Sequence, residues 1–192
     1  HDGDRAIWRI FKSLFKPSAA QREEVQELED REIFPVTWAV PLRGKASAGR
    51  GNFWAYIPTE YYTTLSGILN APWKTNEDRQ NLQKGQFNSS MITVASKLIA
   101  DSIGDLVDEE EPGLFLELLP ARGNEAPNWA DDELTETVWK HVATKKCIPD
   151  QNGVLRHPTK IKLHPPGLTI EALRLWSSYD GRPAEWAHYT VE

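Results

Sequence analysis

The stretch NSSMITVASKLIADSIGDL, residues 88–106, decides the fold class. Met91, Val94, Ala95, Leu98, Ile99, Ile103 and Leu106 recur at spacings of three and four, which places them along one stripe of a helix that must be buried. Asn88 stands where a side-chain oxygen would cap the first turn. Upstream the period changes to two. Val36, Trp38, Val40 and Leu42 alternate with Thr37 and Ala39, and Phe53, Ala55 and Ile57 alternate with Trp54 and Tyr56, so both runs predict strands. The glycine-rich segment 44–51 between them supplies the connection of a hairpin.

Further out, Ile7, Trp8, Phe11, Leu14 and Phe15 share a helical face, and Pro17 closes the pattern, so an opening helix is expected over residues 5–16. Residues 21–32 carry six acidic and two basic side chains with only Val25 and Leu28 to bury, which reads as a solvated helix or linker. Thr75 and Asp78 form a capping-box-like pair that predicts a short helix from Asn76 to Gln83, ended by Gly85. The acidic run 105–111 closes in a turn at Pro112 and Gly113. Phe115 to Leu119 reads as a buried strand, and Asp131 or Asp132 caps a helix bearing Leu134, Val138, Trp139 and Val142. A turn follows at 149–153, then extended runs at Leu155 and at Ile161 to Leu163, and a terminal helix from Ile170 to Trp176. Strands interleaved with helices predict an α/β fold, a mixed sheet flanked by helices. The expected organisation is a helical lead-in and acidic linker over 1–32, an α/β domain over 33–165, and a short helical C-terminal extension over 166–192. The chain begins with His1 and is expected to be a piece of a longer protein.

Composition narrows the function. With 22 Lys and Arg against 28 Asp and Glu, the formal charge is −6, which excludes a strongly basic nucleic-acid-binding domain. Forty per cent apolar residues, eight Trp among them, can build a core and exclude an acidic disordered tail. No run approaches the roughly 18 apolar residues of a membrane span, so no membrane partner is expected. Cys147 is the only cysteine; it rules out internal disulfides and fits a reducing compartment, with the cytoplasm as the expected location.

Most chemistry is absent from the pattern. The five histidines, at 1, 141, 157, 164 and 188, include no i,i+4 pair, so no metal site is expected. In segment 44–51, Arg50 and Gly51 follow the second glycine where a phosphate-binding P-loop needs Lys and then Ser or Thr. No nucleophile elbow surrounds a serine, and Cys147 has only two preceding lysines to activate it. Residues 140–174 hold seven Lys or Arg and three His against Asp150 and Glu171, but without interleaved aromatics; nucleic-acid binding there is a minor alternative. The segment NEDRQNLQ, 76–83, differs. On a helix, Asn76, Arg79 and Gln83 would share one side, with Leu82 anchoring the other. A guanidinium is permanently charged and forks onto phosphate oxygens, and a neighbouring amide can orient it or a water. The competing reading is a surface arginine paired to Glu77 or Asp78.

The pattern N-x-x-R-x-x-L-Q, preceded by Asn70-Ala71-Pro72 and followed by a long amphipathic helix, resembles the catalytic loop in the middle domain of the ninety-kilodalton heat-shock chaperones. The wider runs from Trp38 to Pro41, from Phe53 to Glu60 and from Asn70 to Arg79 are similar to large bacterial proteins with a sacsin-type version of that GHKL ATPase. So are Ile148-Pro149-Asp150, Gly153 and His157-Pro158. The resemblance spans residues 33–165 and implies a ribosomal-protein-S5-like middle domain. It implies that Arg79 reaches the γ-phosphate of ATP-Mg held by a separate N-terminal ATP-binding domain, that Gln83 supports it, and that Asn76 and Leu82 are framework positions. Asn76 and Arg79 would be its nucleotide-side contacts, and Asp78 stands where the family has serine. The Asp-x-Gly-x-Gly turn and the Asn- and Glu-bearing helix that bind nucleotide do not occur here, so this chain is not expected to be active alone. A chaperone-like role further implies a protein client. The rival is a non-catalytic module that docks a protein partner through exposed Trp and Tyr.

Overall fold

The computed structural model describes residues 7–25, 31–43, 50–120, 127–178 and 185–191. Strands β1 (Ile7–Phe15), β2 (Phe34–Arg43), β3 (Gly51–Ala55), β4 (Ile57–Thr63) and β5 (Ile68–Asn70) form one mixed sheet in the order β1-β2-β5-β3-β4. All neighbours are antiparallel except β3 and β5. Helices α1 (Ala19–Glu23), α2 (Gln86–Asp101) and α4 (Trp129–Val142) accompany the sheet, a short helix α3 (Ile103–Leu106) follows α2 in the chain, and the α/β class with a mixed, helix-flanked sheet is as expected.

The sheet departs from the expected one at its start. Residues 7–15 are a strand paired with β2 over its full length, not a helix. The i,i+4 spacing of Ile7, Phe11 and Phe15 falls on one face of a strand as well as of a helix, and the aromatic partners decide between them. Phe11 stacks on Trp38 at 5.6 Å, and Phe15 meets Phe87 edge-on at 5.5 Å. Nor do β2 and β3 form a hairpin: β5 lies between them, antiparallel to β2 and parallel to β3. That close insertion requires glycine at 51, where a Cβ would lie 2.1 Å from the Leu65 carbonyl oxygen. The remainder of the glycine-rich connection, 44–49, lies outside the described residues. The run 53–57 is divided at Tyr56, whose φ of 65° turns the chain so that Ala55 pairs with Ile57.

The alternating residues of β2 supply the core. Phe34, Val36, Trp38 and Val40 are fully buried, with Phe53 and Leu69 from neighbouring strands. Helix α2 closes on them through Phe87, which is edge-on to both Phe15 and Phe34 at 5.5 Å. The expected helix 88–106 begins two residues earlier and breaks at Ser102 into α2 and α3. Its stripe Met91, Ala95, Leu98, Ile99, Ile103 and Leu106 is buried, whereas Val94 is half-buried. Phe115 is buried on a 3-10 helix (Leu114–Leu118) rather than a strand.

Helix α4 is capped by neither Asp131 nor Asp132. Asn128 accepts from the Asp131 N–H at 3.0 Å, which frees the Asp131 carboxylate to point inward. Buried there, it accepts from the Thr63 hydroxyl at 2.6 Å, the Thr64 N–H at 2.8 Å and the Thr64 hydroxyl. Replacing it leaves several buried donors unmade, so Asp131→Ala is expected to cost about 2–3 kcal/mol in urea unfolding.

The chain divides into two compact units, one of residues 1–99 with 117–139 and one of 100–116 with 140–192. The second contains the ribbon β6 (Ile148–Pro149) and β7 (Leu155–Arg156) and helix α5 (Ile170–Ser177), capped by Thr169. The expected 149–153 turn is present: Gly153 has φ 74°, and buried Asp150 accepts from the Asn152 and Val154 amides and pairs with Arg156 at 2.7 Å. Among the described residues no helix is long and apolar enough to cross a membrane.

Candidate functional site

Segment 76–83 is a closed loop, not the expected helix. Thr75 bridges Leu82 in antiparallel fashion, the Gln83 amide donates to the Lys74 carbonyl at 2.9 Å, and the Asn76 amide to the Asn81 carbonyl at 3.0 Å. At the tip, the Arg79 amide donates to the Asn76 carbonyl at 3.0 Å, and Arg79 takes φ 59°, a left-handed conformation that a helix interior does not contain. Short polar side chains outcompete the helix locally. Asn76 Oδ1 accepts from the Asn81 amide at 2.9 Å and Asp78 Oδ1 from the Gln80 amide at 3.0 Å. The capping-box pair of Thr75 and Asp78 therefore does not form.

The base of the loop is braced from several directions. Asn88 does not cap α2; it lies buried in the first turn and spends its amide on the loop. Its Oδ1 accepts from the Lys74 N–H at 2.9 Å, and its Nδ2 donates to the carbonyls of Lys74 and Gln83 at 2.8 and 2.7 Å. The Trp129 indole donates to the Leu82 carbonyl at 3.2 Å, the Leu82 side chain is buried, and the Glu60 amide ties β4 to the Gln80 carbonyl at 2.9 Å. Removing the Asn88 amide takes that partner from the Lys74 N–H and the Gln83 carbonyl and leaves the Lys74 carbonyl with the Gln83 N–H alone. Asn88→Ala is therefore expected to cost about 1–3 kcal/mol and to accelerate amide exchange at Lys74 and Gln83 beyond any global effect.

This frame distributes the expected site residues unequally. Asn76 is committed to the loop itself through its Oδ1 on the Asn81 amide. Arg79 is exposed at the tip, and its guanidinium has no ion pair or hydrogen bond among the described residues; Glu77 and Asp78 are exposed beside it. Gln83 is exposed at the base with its side-chain amide unengaged among the same residues. The three do not stack on one helical face. A left-handed arginine costs about 1–3 kcal/mol unless its surroundings enforce it, and here the flanking Asn76 and Asp78 hydrogen bonds do so. Asn88 and Trp129 went unrecognised in the sequence as loop supports; a helix-start Asn and an indole both have commoner uses.

The other candidates weaken. Burial pushes the Cys147 thiol up to about 11, so it stays protonated near neutrality and is no nucleophile. Among the described residues no three His, Cys, Asp or Glu side chains gather as a metal site would require. Within 140–174, Lys145 pairs with Asp101, Arg156 with Asp150, and Lys162 with Glu185, while Arg174 lies 5.6 Å over the Tyr189 ring. Four of the seven basic side chains in this stretch thus have a local partner. Compared with protein-family models, curated proteins and solved structures, the chain matches none.

Proposed function

We propose that this chain is the middle domain of a chaperone-like GHKL ATPase of sacsin type, with a ribosomal-protein-S5-like fold. In this reading it contributes the 74–83 loop to ATP-Mg held by a separate N-terminal ATP-binding domain, and passes nucleotide state on to further modules and a protein client. The observation that carries the proposal is Arg79: a permanent cation at the tip of a braced loop, with no anionic partner of its own among the described residues. Neither adjacent carboxylate, Glu77 or Asp78, pairs with it among the described residues. Asp78 instead accepts a loop amide, so the carboxylate that replaces the family's serine has a local task.

The ATP supplies the transferring phosphoryl group and Mg²⁺ neutralises part of its charge. Arg79 would present a fork of N–H donors to the γ-phosphate oxygens, whose interaction strengthens as charge shifts during transfer. Gln83 would orient that guanidinium or the attacking water, and Asn76 holds the loop in the presenting shape. ATP-Mg titrated calorimetrically into this chain alone is expected to give no tight, stoichiometric binding; tight binding would move the nucleotide site onto this domain. The deciding experiment is ATP turnover by the full-length protein with and without Arg79. Exposed Tyr56 and Tyr62 favour a second reading, a non-catalytic docking module, for which Arg79 would be dispensable to turnover.

A further inference from the structure

The two edges of the sheet are finished differently. On β4, Pro58 lacks a donor, the ladder to β3 is irregular between Asn52 and Trp54, and the Glu60 amide is taken by Gln80. These are the usual ways of blunting an edge. On β1 the nine residues are paired to β2 alone, and among the described residues no backbone group of Ile7–Phe15 bonds elsewhere. The face of β1 opposite Phe11 and Phe15 carries Trp8, Ile10, Lys12 and Leu14. The three apolar members are 40%, 57% and 67% exposed. A hydrophobic edge of about 30 Å with no further strand on it among the described residues is a template for another strand.

We infer that β1 is the seam of a two-fold dimer, in which β1 of a second copy of this chain pairs with it antiparallel and the two sheets become one. The strand's own sequence argues for a second copy as the occupant. Facing side chains share a sheet face only if the two-fold axis passes through a residue, so the register must be centred on one residue of the strand. Centring on Arg9 or Lys12 sets identical cations face to face, and centring on Ile10 or Ser13 leaves part of the strand unpaired. Centring on Phe11 pairs the whole strand. Trp8 then faces the partner's Leu14 and Ile7 the partner's Phe15, while Arg9 faces the partner's Ser13 and Lys12 the partner's Ile10. Every large apolar side chain on the edge gains a cross-strand neighbour, and no like charges lie directly opposite. This inference is independent of the ATPase reading.

Sedimentation velocity of the full chain across a wide concentration range tests it. Wild type is expected to sediment as a dimer that dissociates on dilution. Ile10→Lys would set a lysine against the partner's Lys12 twice by symmetry, and Ile10→Glu would set a carboxylate there. Both lose the same isoleucine, and because Ile10 is mostly exposed neither is expected to disturb the monomer fold, which circular dichroism checks. The Glu variant is expected to dimerise about tenfold more tightly than the Lys variant at low salt, with the gap closing as salt rises. A monomeric wild type throughout, which would leave the edge to a different protein strand, overturns the inference. So do variants that dimerise equally at low salt.

Discussion

Phe87→Ala should remove about 3–5 kcal/mol of stability, the usual cost of truncating a fully buried phenylalanine. The side chain touches both strands at one end of the β1–β2 pair through edge-on contacts with the partners Phe15 and Phe34, each at 5.5 Å. Aromatic pairs of this geometry add about 0.5–1.5 kcal/mol beyond area burial. The Phe87 amide also donates to Glu24 Oε2 at 3.0 Å, so the first turn of α2 is pinned by side chain and backbone together. Neighbouring Asn88 holds the candidate loop from that same turn, so the variant is expected to loosen residues 74–83 as well. Urea unfolding gives the stability loss, and amide exchange at Gln83 reports the coupling. A loss below about 1 kcal/mol would mean that α2 does not close on the sheet.

Under the proposed ATPase role, Arg79→Ala in the full-length protein is expected to lower ATP turnover by ~10³-fold, or about 4 kcal/mol at 1.36 kcal/mol per decade. A fixed cation aimed at the γ-phosphate gains most where charge accumulates in transfer, so its removal raises the barrier more than it weakens ATP in the ground state. The loop should survive the change. Its closure rests on Asn76, Asp78, Asn88 and Trp129, none of which bonds the guanidinium. Arg79→Lys should rescue poorly, because an ammonium offers a point charge without the bidentate fork.

What the sequence disclosed follows from how local each signal is. The α2 stripe was legible because Met91, Ala95, Leu98 and Ile99 satisfy a helical period over several turns and few alternatives fit. The 149–153 turn and the Thr169-capped α5 were legible because their determinants lie within a few residues. β1 was not, since Ile7, Phe11 and Phe15 suit either period and the choice is made by Trp38 and Phe87, distant in sequence. The insertion of β5 between β2 and β3 likewise depends on long-range pairing. At the candidate site the identities Asn76, Arg79 and Gln83 could be read, but not the shape. Asn, Asp and Thr at a helix start and in an Asx-stabilised loop look alike until the backbone of Asn81 and Gln80 is seen to take their side chains.

Single-turnover ATP hydrolysis by the full-length protein at saturating ATP, wild type against Arg79→Ala, with ATP affinity measured alongside, decides whether Arg79 acts on the transferring phosphoryl group. If Arg79 acts in the transition state, the variant's rate constant is lower on the order of 10³-fold, with the dissociation constant for ATP changed by no more than about threefold. A rate within about twofold of wild type would contradict it, leaving Arg79 a solvated surface cation and the chain a docking module.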